Sequence, residues 1–129
     1  MADLRILTRP VTRAQPGDLR VFRADRYGHA ERIGLEDWRA FAPSYALLRA
    51  GKRGEISWPE YAERYRGELR ELWRRRGPEL FGELLERCAE GRALVCFCPD
   101  AEECHRSVLA EVLAVLGAER GAEVEVEHA

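Results

Sequence analysis

Short apolar runs alternate with longer segments of helical periodicity, and this predicts an α/β fold: a single compact domain spanning residues 1–129, with a mostly parallel sheet and helices on both faces. Three observations carry the expectation. The run from Ala93 to Cys98 holds β-branched and aromatic residues in a near-continuous apolar stretch, as in a strand buried on both faces. Amphipathic segments of helical length flank it on both sides. A chain of 129 residues suits one domain, long enough to bury roughly two thirds of its unfolded surface.

The elements follow in order. Leu4–Thr8 and Leu19–Ala24 read as short strands separated by the turn-rich Pro16-Gly17-Asp18, and a β-hairpin is one way to join them. Leu35–Phe41 reads as a short helix that must stop before Pro43, because the residue preceding proline disfavours the α region. Ser44 can cap a helix running through Arg49 and ended by Gly51. Ser57-Trp58-Pro59-Glu60 fits a capping box that opens a long helix, with Trp58, Tyr61, Ala62, Tyr65, Leu69, Leu72 and Trp73 in one stripe up to Gly77-Pro78. The next helix aligns Leu80, Phe81, Leu84, Leu85 and Cys88 and ends near Gly91. After the strand Ala93–Cys98, Asp100 can cap a helix with Glu103 at its third position; Val108, Leu109, Val112, Leu113 and Leu116 form its buried stripe and Gly117 closes it. Val124 and Val126 alternate with Glu123, Glu125 and Glu127, which fits a half-exposed strand guarding a sheet edge.

Composition narrows the function classes. Hydrophobic residues make up 46% and charged residues 34% of the chain, and no apolar run approaches the ~20 residues of a membrane span. The first ten residues carry charges and no apolar leader, so the expectation is a cytoplasmic protein with no membrane partner. A formal net charge of −2 argues against nucleic acid as a partner held through overall charge. Lys52 is the only lysine, Gln15 the only glutamine, and asparagine is absent; depletion of heat-labile amides hints at a thermophilic or GC-rich source.

Chemistry concentrates between Leu94 and Arg106, where LVCFC, a Pro-acidic turn and Cys104-His105-Arg106 lie at the carboxyl end of the expected strand, the place where open α/β sheets bind ligands. In a reducing compartment the four cysteines, Cys88, Cys96, Cys98 and Cys104, are buried apolar residues or chemical groups rather than a disulfide framework. Cys96 and Cys98 stand two apart on a strand, about 6.6 Å between Cα atoms with side chains in parallel, so Cys98 with Cys104 is the better redox pair. Cys104, near a helix start and beside His105 and Arg106, can be a thiol nucleophile with His105 as proton donor or acceptor; the acidic neighbours Asp100, Glu102 and Glu103 oppose thiolate formation, and a small buried residue is the competing reading. A phosphatase-type cradle needs five residues between cysteine and arginine, whereas seven separate Cys98 from Arg106, and no Cys-x-x-Cys is present. A metal site could recruit Cys98, Cys104 and His105 with Cys96 or His29, but the spacing is irregular; neither metal nor cofactor is expected. Arg106, Arg26 and Arg64 or Arg66, with helix-start amides, could hold a phosphate or carboxylate, which leaves an anionic small molecule as the expected partner. Arg26 could instead pair with Asp25, and Ser44 is a cap before it is a ligand contact.

Several spaced motifs in order give the chain a resemblance. Ala24-Asp25-Arg26-Tyr27, Trp38 with Phe41-Ala42-Pro43-Ser44, Tyr61 with Arg64-Tyr65-Arg66 and Glu68-Leu69, then Leu94-Val95-Cys96 leading to Cys104-His105-Arg106, resemble the domain of unknown function 488 from about Leu19 to Leu116. The resemblance implies a compact bacterial or archaeal α/β domain with no settled activity. Short members usually follow the Asp-Arg pair with an aromatic residue and a Pro-Arg-Gly turn; here Tyr27-Gly28-His29-Ala30 lacks that arginine. Taken together, the expectation is a pocket for a phosphate- or nucleotide-like anion at the carboxyl ends of the strands, with Cys104 and His105 as candidate catalytic groups and Asp25, Arg26, Ser44, Arg64, Cys98 and Arg106 as candidate ligand contacts. The alternative is a non-catalytic interaction or stress-related module in which the Cys-His-Arg cluster is structural.

Overall fold

The computed structural model describes residues 3–98 and 101–129. Five strands, β1 (Leu4–Pro10), β2 (Leu19–Arg20), β3 (Glu36–Asp37), β4 (Leu94–Cys96) and β5 (Val124–His128), form one sheet of order β3-β2-β4-β1-β5 in which every pairing is parallel. Among the described residues five helices accompany them: α1 (His29–Ile33), α2 (Tyr45–Lys52), α3 (Trp58–Arg76), α4 (Pro78–Ala89) and α5 (His105–Glu119). The α/β class and the parallel sheet stand as expected.

Side-chain alternation along β1 explains how the layers divide. Leu4 and Ile6 are buried and join Leu19, Leu94 and the apolar stripes of α3, α4 and α5 in the main core. On the opposite face Arg5 is exposed and Leu7 and Arg9 only partly covered, while Val95 meets a smaller cluster that includes Ala30 of α1, Val11, Ala14 and Leu35. Both faces are covered, one by long helices and the other by a single short helix and loops.

The hairpin between the first two strands does not form. Leu94 of β4 pairs with Thr8 on one side and Leu19 on the other, so β4 lies between β1 and β2 and the connection must pass over it. Buried Asp18 fixes that connection, accepting from the Gln15 amide at 2.9 Å, the Ala93 amide at 3.0 Å and Arg9 at 2.9 Å. The helix expected over Leu35–Phe41 is also absent: the Glu36 amide bonds to the Asp18 carbonyl and the Trp38 amide to the Arg20 carbonyl, which makes β3, and only Arg39–Phe41 turns as a 3-10 helix. Ladder partners outside the segment outweigh its local helical spacing.

The helix starts are better matched. Ser44 Oγ accepts from the Leu47 amide and Ser57 Oγ from the Glu60 amide. The expected cap Asp100 lies outside the described residues, and Cys104 occupies the cap position of α5. Gly117 does not close α5, which runs on to Glu119; a Cβ there would stand 2.9 Å from Leu4 Cδ2 and 3.0 Å from Val124 Cγ2, so glycine lets the helix approach β1 and β5. Val124–His128 does form the sheet edge, with glutamates outward. No helix among the described residues is long and apolar enough to cross a membrane.

Candidate functional site at the carboxyl end of the sheet

Because all strands run the same way, the segments leaving β2 and β4 emerge at one rim of the sheet. There Phe22, Arg23 and Ala24 follow β2, Phe97 and Cys98 follow β4, and the junction of α2 and α3 folds over them, enclosing a cavity of about 420 Å³. Gly51 and Lys52 from the end of α2, Ser57, Trp58 and Tyr61 from the start of α3, and Glu103 and His105 from the α5 side complete its wall.

The wall is aromatic on two sides. Trp58 and Tyr61 stack with centroids 5.5 Å apart and planes inclined at 22°, while Phe97 meets Phe22 edge-on at 4.6 Å. Phe97 is 40% exposed although it is apolar, and it also lies 5.6 Å from His29. Gly51 is needed for this geometry: a Cβ there would sit 2.9 Å from the Tyr61 ring. Two cations reach the wall but differ in commitment. Arg23 is tied to the carbonyls of Pro43, Arg39 and Ala42 and lies over the Tyr45 ring. Lys52 forms no ion pair with a carboxylate among the described residues. Glu103 adds one acid to the rim.

Only part of the Cys-His-Arg cluster faces this space. Cys98 and His105 are on the wall, whereas Cys104, 1% exposed, and Arg106, fully buried, stand behind it. Burial pushes the Cys98 thiol up, partly offset by the nearby charges of Arg106 and Lys52, so the thiol form dominates at neutral pH. Burial lowers His105 to about 4, against the opposing hydrogen bond to Val21. The imidazole is therefore neutral at physiological pH; its Nε2–H donates to the Val21 carbonyl at 2.6 Å and leaves Nδ1 toward Cys104 Sγ at 4.0 Å. Tyr65 packs edge-on against the same ring and donates its hydroxyl to the Phe41 carbonyl at 2.6 Å.

Arg106 acts as an internal tie. Its Nε donates to Thr8 Oγ1 at 3.2 Å and its Nη1 to Cys96 Sγ at 3.3 Å and to the Cys98 carbonyl, while Nη2 reaches the Ala129 carbonyl at 3.4 Å. The sulfur of Cys104 contacts that of Cys96, not that of Cys98, because Cys96 points to the α5 side of β4. The remaining candidates stand elsewhere. Asp25 caps α1, accepting from the His29 and Ala30 amides; Arg26 lies over the Tyr27 ring; Ser44 bonds to Glu68; and Arg64 pairs with Glu60 on the outside of α3.

The family model described as DUF488-N3a, active DUF488-N3 subclade, matches residues 7–117. The chain belongs to the DUF488 family. No curated protein and no solved structure matches it. The cavity of this DUF488 domain lies within the matched span, and the residues that sequence reasoning missed are Lys52, Trp58, Tyr61 and Phe97 as wall groups. Lys52 carried a signal, as the one lysine among 21 basic residues, and so did the exposed aromatic between Cys96 and Cys98.

Proposed function

We propose that this DUF488 protein binds a small anionic molecule with a flat ring, of the nucleotide-like class, in the cavity at the rim of the sheet, with Cys98 as the thiol that meets the ligand. The observation that supports the reading is the make-up of the wall: the stacked Trp58 and Tyr61 and the exposed Phe97 beside a lysine with no carboxylate partner among the described residues. Aromatic faces stack on a base for about 1–3 kcal/mol per base, and Lys52 supplies a point charge for a phosphate. A cavity of about 420 Å³ falls in the usual range for small-molecule sites. The matched subclade is described as active, in keeping with a working site.

The test is a thermal-shift comparison of adenosine monophosphate, adenosine and inorganic phosphate. A ligand at a hundred times its Kd adds about 2.7 kcal/mol, hence a rise of about 10 °C for a chain of this size. The monophosphate is expected to give the largest rise, with the phosphate contribution lost in Lys52→Ala and the ring contribution lost in Phe97→Ala. No shift with any of the three, or equal shifts in both variants, contradicts the proposal. Arg106 favours the second reading, a non-catalytic module, because it is fully buried and its hydrogen bonds to Thr8, Cys96, Cys98 and Ala129 join β1, β4 and the residue after β5.

A further inference from the structure

Behind the cavity wall lies a second set of chemical groups that the proposed ligand does not need. Cys96 ends β4, Cys104 occupies the cap position of α5, and His105 is its first residue; one ligand atom from each lies within 4.8 Å of the others, and all three residues are buried. Two thiols and an imidazole are the donor set that zinc selects.

Three further details fit a metal ligand set. His105 donates Nε2–H to a backbone carbonyl, the support that metal-ligating histidines commonly have, and this leaves the Nδ1 lone pair for the ion. The 4.0 Å from Nδ1 to Cys104 Sγ is near the edge of a tetrahedral zinc site, about 3.6 Å from Zn–S and Zn–N bonds of about 2.3 and 2.0–2.1 Å. Arg106 Nη1 donates to Cys96 Sγ, which favours the thiolate. The rival use of the two sulfurs is a disulfide, but the Cα atoms of Cys96 and Cys104 are 7.9 Å apart, beyond the roughly 4.4–6.8 Å that a disulfide ordinarily spans.

We propose that Cys96, Cys104 and Nδ1 of His105 bind one zinc ion, with a water or a group from the cavity in the fourth position. His105 also forms part of the cavity wall, so the site adjoins the cavity. Binding is written as two thiols, a neutral imidazole and Zn²⁺ giving a dithiolate-imidazole complex and two released protons, with no change in oxidation state. The site rests on no property of the cavity's ligand.

The experiment loads the full-length, reduced protein with Co²⁺ and follows the thiolate-to-metal charge-transfer and tetrahedral ligand-field bands. One equivalent is expected, displaced by Zn²⁺, retained in Cys98→Ser and lost in Cys96→Ser and Cys104→Ser. Since those two variants could lose the fold, the wild type is also alkylated with and without Zn²⁺ in enough urea to open the buried thiols of the zinc-free protein, and mapped by mass spectrometry; zinc should protect Cys96 and Cys104, and a chelator should remove the protection. Substoichiometric uptake by the folded reduced protein, protection that omits either cysteine, or a Cys96–Cys104 disulfide that resists thiol reductants and blocks uptake would overturn the proposal.

Discussion

Cys98 and Cys104 belong to one short motif, yet they occupy different environments, and the difference makes reactivity a readable property of single residues. Cys98 is half-buried on the cavity wall, while Cys104 is covered and Cys88 lies in the main core, where burial pushes its thiol up to about 12. Alkylation of the native protein should therefore label Cys98 first and Cys88 only on unfolding. Because the Cys98 pKa is raised, its rate at neutral pH should be below that of a free model thiol and should climb as the pH rises. A rate already at its plateau near pH 7, followed by peptide mapping, would contradict this. Arg106 gives a second prediction. Lysine keeps its charge but not the planar fork that reaches Thr8, Cys96 and Cys98 together, so Arg106→Lys should cost on the order of 3 kcal/mol in urea unfolding. That one stretch gathers thiols, an imidazole and a guanidinium was legible from its residue types. The cluster's division into wall and interior was not, since that depends on which face of β4 each side chain takes and on where α2 and α3 fold back.

Among the elements, those with strong local signals were legible. Capping serines and long apolar stripes placed α2, α3 and α4, because such signals act within one or two turns of the chain. The segment around Glu36 was not, since its structure comes from partners far along the sequence: Arg87 and Arg92 bond its carboxylate together with Trp38. Burial opposes ionisation of Glu36, but those donors outweigh it and hold its pKa below the usual range. The same holds for Asp25, where burial is outweighed by the Ala30 and His29 amides and the charge of Arg20. Depressed carboxylate pKa values give stability that is present above the unfolded-state pKa and lost as the pH falls through the folded value. Urea unfolding from pH 7 down to 3 should therefore show an acid limb that becomes shallower in Glu36→Gln and Asp25→Asn, while an unchanged limb would sink the assignment. At the α2–α3 junction, Gly51→Ala must displace the Tyr61 ring, so the fold should persist while the cavity changes shape. Circular dichroism with the thermal-shift panel checks both halves of that statement.

For the whole molecule, the parallel class was legible in the alternation of strand-like and helix-like segments, and the strand order was not. Nothing local tells β1 and β2 to leave room for β4; the order follows from Asp18 holding the crossover and from Leu94 pairing on both sides. That order shapes the cavity, because it sets the ends of β2 and β4 side by side and brings Phe22 against Phe97. Lys52, Trp58 and Phe97 are separated in the chain and meet only through this topology, which is why the cavity wall escaped sequence reasoning. The most direct measurement of the central claim is a backbone amide NMR titration of the isotope-labelled protein with adenosine monophosphate. The account predicts saturable shifts concentrated at residues 22–24, 51–61, 97–98 and 105, and weakened binding in Lys52→Ala. Shifts centred on another face of the sheet, or none at saturating nucleotide, would contradict it.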